Sequence, residues 1–100
     1  MEPASSAVLS GKSPGMHAIQ GIGAGFIPDV LDMDIVDDIY LSKDEDAIKF
    51  AKDINLVEGI SAGISSGAAL DASIRYSLDN PKIKNIVTLF PDGSNRYNFC

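Results

Sequence analysis

The residues with the clearest potential for chemistry lie in the stretch Gly63-Ile64-Ser65-Ser66-Gly67. This stretch matches the pattern G-x-S-x-G, which in α/β-hydrolases places a nucleophilic serine on a sharp turn between a strand and a helix. Those enzymes take their acid and then their histidine from positions after the serine. The only histidine of this chain, His17, comes before Ser65. The sequence therefore argues against a nucleophile and favours a serine that caps a helix.

A second candidate is the glycine cluster Gly21-Ile22-Gly23-Ala24-Gly25. A dinucleotide-binding fingerprint has the form G-x-G-x-x-G and follows a full strand. Here the third glycine comes one residue early, and the preceding MHAIQ hardly resembles a strand. We expect instead a tight turn in which the backbone passes close to another group.

Aspartates are concentrated between residues 29 and 38, at Asp29, Asp32, Asp34, Asp37 and Asp38. An EF-hand calcium loop that opened at Asp32 would need a glycine at its sixth position and a glutamate at its twelfth. The sequence has Asp37 and Lys43 there. We therefore predict a solvated acidic surface and no metal site.

The composition is that of one globular domain, with 100 residues, 45% hydrophobic content and a net charge of -6. Fourteen acidic residues outnumber eight scattered basic ones, which argues against binding to nucleic acid. The longest apolar runs fall well short of the roughly 20 residues that a membrane span needs, and the N-terminus lacks the features of a secretion signal. We expect a cytoplasmic protein.

The single cysteine, Cys100, has no partner for a disulfide or metal site and is predicted to be inert.

Two helices are predicted from the spacing of apolar residues. Ser42 and Glu45 form a capping box ahead of a helix from about Lys43 to Asp53. Ser65 and Ser66 can cap a second helix that continues to about residue 78. The pair Asn80-Pro81 that follows is expected to stop this helix.

Between the helices lie short strand-like segments, and the first 25 residues are mostly loop. A helical turn follows Pro28, and the strand-like segments are Asp38–Leu41, Glu58–Ile64 and Asn85–Phe90. The last is apolar throughout, as expected of a strand buried on both faces, and the turn Pro91-Asp92-Gly93 follows it. Alternating strands and helices predict the α/β class, here part of an open, mostly parallel twisted sheet with flanking helices.

Three segments, in this order and at these separations, resemble one known family: EPASSAVLSG from residue 2, IQGIGAGFIP from residue 19 and GISAGISSGAA from residue 59. The resemblance is to the C-terminal third of cysteine synthase (O-acetylserine sulfhydrylase). This family belongs to the pyridoxal-phosphate enzymes of fold type II, which are built like the tryptophan synthase β subunit. The resemblance implies that residues 1–100 form the C-terminal portion of such a catalytic domain.

The resemblance also implies roles for individual residues. In the family, the serine that corresponds to Ser65 hydrogen-bonds the pyridine nitrogen of pyridoxal 5'-phosphate. The glycines that correspond to Gly21 and Gly23 let the backbone approach the cofactor ring. The lysine that holds the cofactor covalently belongs to an earlier part of the family's chain, so no catalytic residue is expected here. None of the six lysines has that lysine's sequence context: Lys12, Lys43, Lys49, Lys52, Lys82 and Lys84.

The implied reaction is the replacement of the acetate of O-acetylserine by sulfide, which gives cysteine. Further implications are a homodimer and a possible partner, serine acetyltransferase. Two alternatives stay open. One is a cystathionine β-synthase type of enzyme, because the sequence departs from the family pattern around Pro91–Tyr97. The other is an inactive fragment whose only role is association.

Overall fold

The structure is a computed structural model, and it describes residues 1–19 and 22–91. These residues form a small α/β unit, which confirms the predicted class. Two short parallel strands pair in the register Glu2 with Leu41 and Pro3 with Ser42. The elements in chain order are strand β1 (Glu2–Pro3), a 3-10 turn (Ala4–Ser6), a second 3-10 turn (Met33–Ile35), strand β2 (Leu41–Ser42), helix α1 (Asp44–Val57) and helix α2 (Ile64–Asp79). In the part of the chain that the structure describes, neither helix combines the length and the apolar character that a bilayer span requires.

Helix α1 forms where the apolar spacing predicts it, but the predicted capping box is wrong. Lys43 occupies the N-cap position without a side-chain capping bond. Ser42 belongs to β2, and its hydroxyl donates a hydrogen bond of 2.8 Å to the buried carboxylate of Asp71. Ser42 thus lies one residue before the N-cap, and its hydroxyl proton is used in a charge-assisted bond to the sheet-facing side of α2. The start of α1 is instead stabilised by three acidic residues in its first turn, Asp44, Glu45 and Asp46.

Helix α2 begins one residue before the serines that were predicted to cap it. Gly63 is its N-cap, so Ser65 and Ser66 lie inside the first turn and make no capping bond. The predicted end of the helix is confirmed. The backbone N–H of Asn80 donates to the carbonyl of Tyr76 at 2.9 Å, which closes the last turn.

The two helices cross at Gly67. A Cβ at this position would lie 1.9 Å from the carbonyl oxygen of Ala47 and 2.6 Å from the backbone nitrogen of Ala51. Only a glycine permits this approach of two helix backbones. Beside the crossing lies the core, which consists of the buried side chains of Ile19, Ala47, Ile64 and Ala68.

A buried polar network attaches α2 to the sheet. The Asp71 carboxylate accepts from Ser42 Oγ on β2 and from the guanidinium of Arg75, whose Nη2 lies 3.1 Å away. The same guanidinium donates to the carbonyl of Leu41. Asp71 is only 4% exposed, so its charge depends on these partners.

The strand predictions were less successful than the helix predictions. The strand predicted at Asp38–Leu41 is found at Leu41–Ser42, and Glu58–Ile64 and Asn85–Phe90 are not strands in the described structure. A strand requires a neighbouring backbone, and among the described residues no segment pairs with Asn85–Phe90. Three of its apolar residues are exposed, Ile86, Val87 at 95% and Leu89 at 81%. The turn predicted after Pro91 lies outside the described residues.

Candidate functional site

Ser65 lies in the first turn of α2 with its side chain buried. The residue is 3% exposed, and its hydroxyl has no hydrogen-bond partner among the described residues. Its neighbour Ser66 is fully buried and its hydroxyl is likewise unpartnered. A buried hydroxyl without a partner costs about 1–3 kcal/mol, so two in succession need an explanation.

The surroundings of Ser65 favour an acceptor that carries no positive charge. The N-terminus of a helix carries about half a positive charge, which repels cations and attracts anions and lone pairs. The Ser65 hydroxyl can donate to such a lone pair. It is enclosed by protein atoms, so an aromatic ring reaches it only after a neighbouring group moves.

Gly23 forms the tight turn that the glycine cluster predicts. Its backbone has φ +65°, in the left-handed region that glycine favours. A Cβ here would lie 2.5 Å from His17 Nε2 and 2.5 Å from Pro3 Cγ. The prediction of a close approach is therefore confirmed at Gly23, and the neighbours in this chain are a histidine ring and a proline. Gly21 lies outside the described residues.

Glu2 organises the N-terminal segment. The residue is 3% exposed, and its carboxylate accepts from the backbone N–H groups of Leu9 and Ser10, both at 2.9 Å, and from Ser10 Oγ at 2.6 Å. The backbone N–H of Glu2 donates to the Tyr40 carbonyl at 2.8 Å. One carboxylate thus fixes the loop that follows β1 against the edge of the sheet. Sequence analysis missed this role because the acceptor and its donors are seven and eight residues apart, outside any helical or strand pattern.

Two contacts bring the three sequence motifs together in the structure. The first two border one cavity of about 660 Å³, lined by residues 1–9 on one side and 22–31 on the other, including Ser6 and Gly23. Ile19, from the second motif, packs in the core with Ile64 and Ala68 of the third. Ser65 is not among the residues that line the cavity. The glycine turn therefore borders the N-terminal segment, and Ile19, which precedes the turn, packs against the start of α2.

The remaining candidate residues belong to other parts of the molecule. The five aspartates between residues 29 and 38 are all exposed, as predicted for a solvated surface. Within residues 1–19 and 22–91, no group of three acidic, histidine or cysteine side chains is placed to hold a metal ion. Cys100 lies outside the described residues.

The chain was compared with known proteins in sequence and in structure. No protein-family model matches the chain. A cysteine synthase from Staphylococcus aureus is 44% identical over 97 residues, which are 97% of this chain and 31% of that protein. The crystal structure of a cysteine synthase from Entamoeba histolytica superposes with a TM-score of 0.92 at 45% identity, over 96% of this chain and 29% of that one. The chain is homologous to a segment of the cysteine synthases.

This finding confirms the resemblance drawn from the three motifs. The chain spans about a third of the length of the curated relatives that it matches. The same fold segment also occurs in an O-acetylserine-dependent cystathionine β-synthase from Helicobacter pylori, with a TM-score of 0.82 and 35% identity over 96% of this chain and 31% of that one. The similarity therefore extends to a cystathionine β-synthase, the first of the two alternatives left open by the sequence.

Proposed function

We propose that residues 1–100 form the part of a pyridoxal-phosphate-dependent cysteine synthase that contacts the cofactor ring. The proposal has two supports. Relatives named cysteine synthase match nearly the whole chain. In addition, the segment GISSGAA places at the start of a helix a buried serine hydroxyl that has no hydrogen-bond partner in the described part of the chain. That hydroxyl is the structural observation that carries the proposal.

Ser65 fits the cofactor through its donor capacity. The pyridine nitrogen has a lone pair, and a hydroxyl can donate to it without transferring a proton. The positive end of α2 disfavours a proton on that nitrogen. Ser65 would thus hold the ring in its neutral form, which draws electrons from the substrate less strongly than a pyridinium. When bound, pyridoxal phosphate supplies the electron withdrawal that allows acetate to leave O-acetylserine and sulfide to replace it.

Gly21 and Gly23 are proposed to line the substrate side of the ring, as the resemblance implies. The structure supports this for Gly23 by its place in a turn beside the cavity and close to the N-terminal segment. A side chain at position 23 would push this turn away from its neighbours. No residue of this chain is proposed to do the covalent chemistry, which we assign to a lysine in the part of a cysteine synthase that this chain does not match.

The proposed substrates are O-acetylserine and sulfide, and the proposed product is cysteine. A homodimer, association with serine acetyltransferase and a cytoplasmic location follow from the family resemblance and belong to the same proposal. A cystathionine β-synthase type of reaction is the second candidate, because the Helicobacter pylori enzyme shares the fold segment. The two candidates differ in the nucleophile that replaces acetate.

A chimera tests the proposal. This chain would replace the matched segment of the Staphylococcus aureus cysteine synthase, which supplies the remaining two thirds. We expect the chimera to bind pyridoxal phosphate and to convert O-acetylserine and sulfide to cysteine. Homocysteine in place of sulfide distinguishes the second candidate. A folded chimera that binds no cofactor would contradict the proposal.

A further inference from the structure

His17 contacts the glycine turn from inside the chain. Its Nε2 atom lies 3.0 Å from the carbonyl oxygen of Gly23, and its Nδ1 atom lies 3.1 Å from the backbone nitrogen of Ile19. A backbone N–H only donates, so Nδ1 accepts and carries no proton. The proton of the neutral imidazole is then on Nε2, where it is donated to the Gly23 carbonyl. The two bonds together select one neutral tautomer.

The same ring fills the space beside Gly23. A Cβ at this position would come within 2.5 Å of His17 Nε2 and of Pro3 Cγ, whereas ordinary contacts begin at 3.4 Å. Pro3 is fully buried in β1. The imidazole and the side chain of Pro3 therefore both pack against the side of the Gly23 backbone where a Cβ would project. These contacts fix the position of the turn relative to the sheet.

We propose that His17 is a positioning residue for the Gly23 turn, and that it acts in its Nε2-protonated neutral tautomer. It contacts no cofactor in this role. It fixes the position of the Gly23 backbone, which under the proposed function faces the pyridine ring of pyridoxal phosphate. The structural part of the proposal stands on the two hydrogen bonds alone, and its consequence for cofactor binding rests on the proposed function.

Three substitutions separate the two hydrogen bonds. The oxygen of an asparagine lies close to the position of Nδ1, so His17→Asn keeps an acceptor for Ile19 and loses the donor to Gly23. The longer glutamine amide reaches the position of Nε2, so His17→Gln keeps the donor to Gly23 and loses the acceptor. His17→Ala loses both. The asparagine and glutamine variants are thus matched controls for each other.

The first measurement is nuclear magnetic resonance on the full chain, whose only histidine gives a single imidazole signal set. We expect Nδ1 without a proton and Nε2 with one. Exchange of the Ile19 amide should be about fivefold faster in His17→Gln and His17→Ala and unchanged in His17→Asn. The carbonyl shift of Gly23 should move in His17→Asn and His17→Ala and stay in His17→Gln. The proposal would be overturned by a proton on Nδ1 in the unmodified chain. It would also be overturned if the Ile19 and Gly23 signals were unchanged in all three variants.

The second measurement is the affinity of the Staphylococcus aureus chimera for pyridoxal phosphate. We expect His17→Asn to weaken binding about fivefold and His17→Gln to leave it nearly unchanged. If His17→Ala unfolds the chimera, this pair still decides the question. If the unmodified chimera folds and binds no cofactor, the proposed function fails and the tautomer result is unaffected. If it binds and both variants match it, the positioning role of His17 is wrong.

Discussion

The crossing of the two helices at Gly67 makes a sharp prediction about stability. In Gly67→Ala the new methyl group would lie 1.9 Å from the Ala47 carbonyl oxygen, and ordinary contact begins at 3.4 Å. The obstacle is the backbone of α1, which cannot rotate away, so the helices must separate by about 1.5 Å. Overpacking of a core costs roughly 1–3 kcal/mol, and this overlap belongs at the upper end.

The intrinsic helix propensity acts in the opposite direction. Alanine is favoured over glycine inside a helix by about 1 kcal/mol. The net loss expected for Gly67→Ala is therefore about 2 kcal/mol in the free energy of unfolding, or about 8–16 °C in Tm. The assay is thermal and urea unfolding of the chain at low micromolar concentration, followed by far-ultraviolet circular dichroism.

Gly59→Ala is the matched control. No atom lies within 4 Å of a Cβ at this position, but the backbone has φ +67°. We expect a loss of about 1 kcal/mol from backbone conformation alone. If Gly67→Ala instead raises the free energy of unfolding by about 1 kcal/mol, propensity alone acts at this position, and the close crossing of α1 and α2 is refuted.

Two further predictions concern polar contacts of α2. The hydrogen bond from Tyr40 to Asp79, 2.7 Å long, together with burial and nearby negative charge, raises the pKa of Tyr40 to about 12. The folded state then holds the Tyr40 proton more tightly than the unfolded state does. The bond therefore stabilises the fold below pH 10, and this contribution is lost as the pH rises to about 12. Asp79→Asn should lower the midpoint of the Tyr40 titration followed by ultraviolet absorbance, and an unchanged midpoint would contradict the assignment. Removal of the buried Asp71 carboxylate in Asp71→Ala should cost about 2 kcal/mol in the free energy of unfolding, since it leaves Ser42 without its acceptor and Arg75 with only the Leu41 carbonyl. Ser42→Ala in the same denaturation assay should cost about 1 kcal/mol, and equal losses from the two substitutions would show that Arg75 is satisfied without Asp71.

The helices could be predicted from the sequence because their determinants are local. The apolar spacing that ends near Ile54 predicts α1, and the Asn80-Pro81 pair predicts the end of α2. The caps could not be predicted in the same way. Ser42 has the right residue type for a cap, yet it belongs to β2, one residue before the N-cap, and donates to Asp71, which lies 29 residues further along the chain. A contact of that range leaves no trace in a local pattern.

Strands and site contacts depend even more on distant neighbours. Asn85–Phe90 has the composition of a buried strand, but strand formation requires a partner backbone, and the described residues provide none. The family resemblance rather than periodicity indicated Ser65 as a site residue. The role of His17 escaped the sequence because its partners, Ile19 and Gly23, use only backbone atoms, which every residue type possesses.

The central claim is that the Ser65 hydroxyl donates a hydrogen bond to a neutral pyridine nitrogen. The most direct test is the nitrogen-15 chemical shift of ring-labelled pyridoxal phosphate bound to the Staphylococcus aureus chimera. We predict the shift of an unprotonated, hydrogen-bonded pyridine that changes in Ser65→Ala, moves to a pyridinium value in Ser65→Asp, and stays the same in Ser66→Ala. The last variant is the control, because Ser66 is the neighbouring buried hydroxyl that also has no partner among the described residues. A bound cofactor whose nitrogen shift is the same in the unmodified chimera and in Ser65→Ala would contradict the claim.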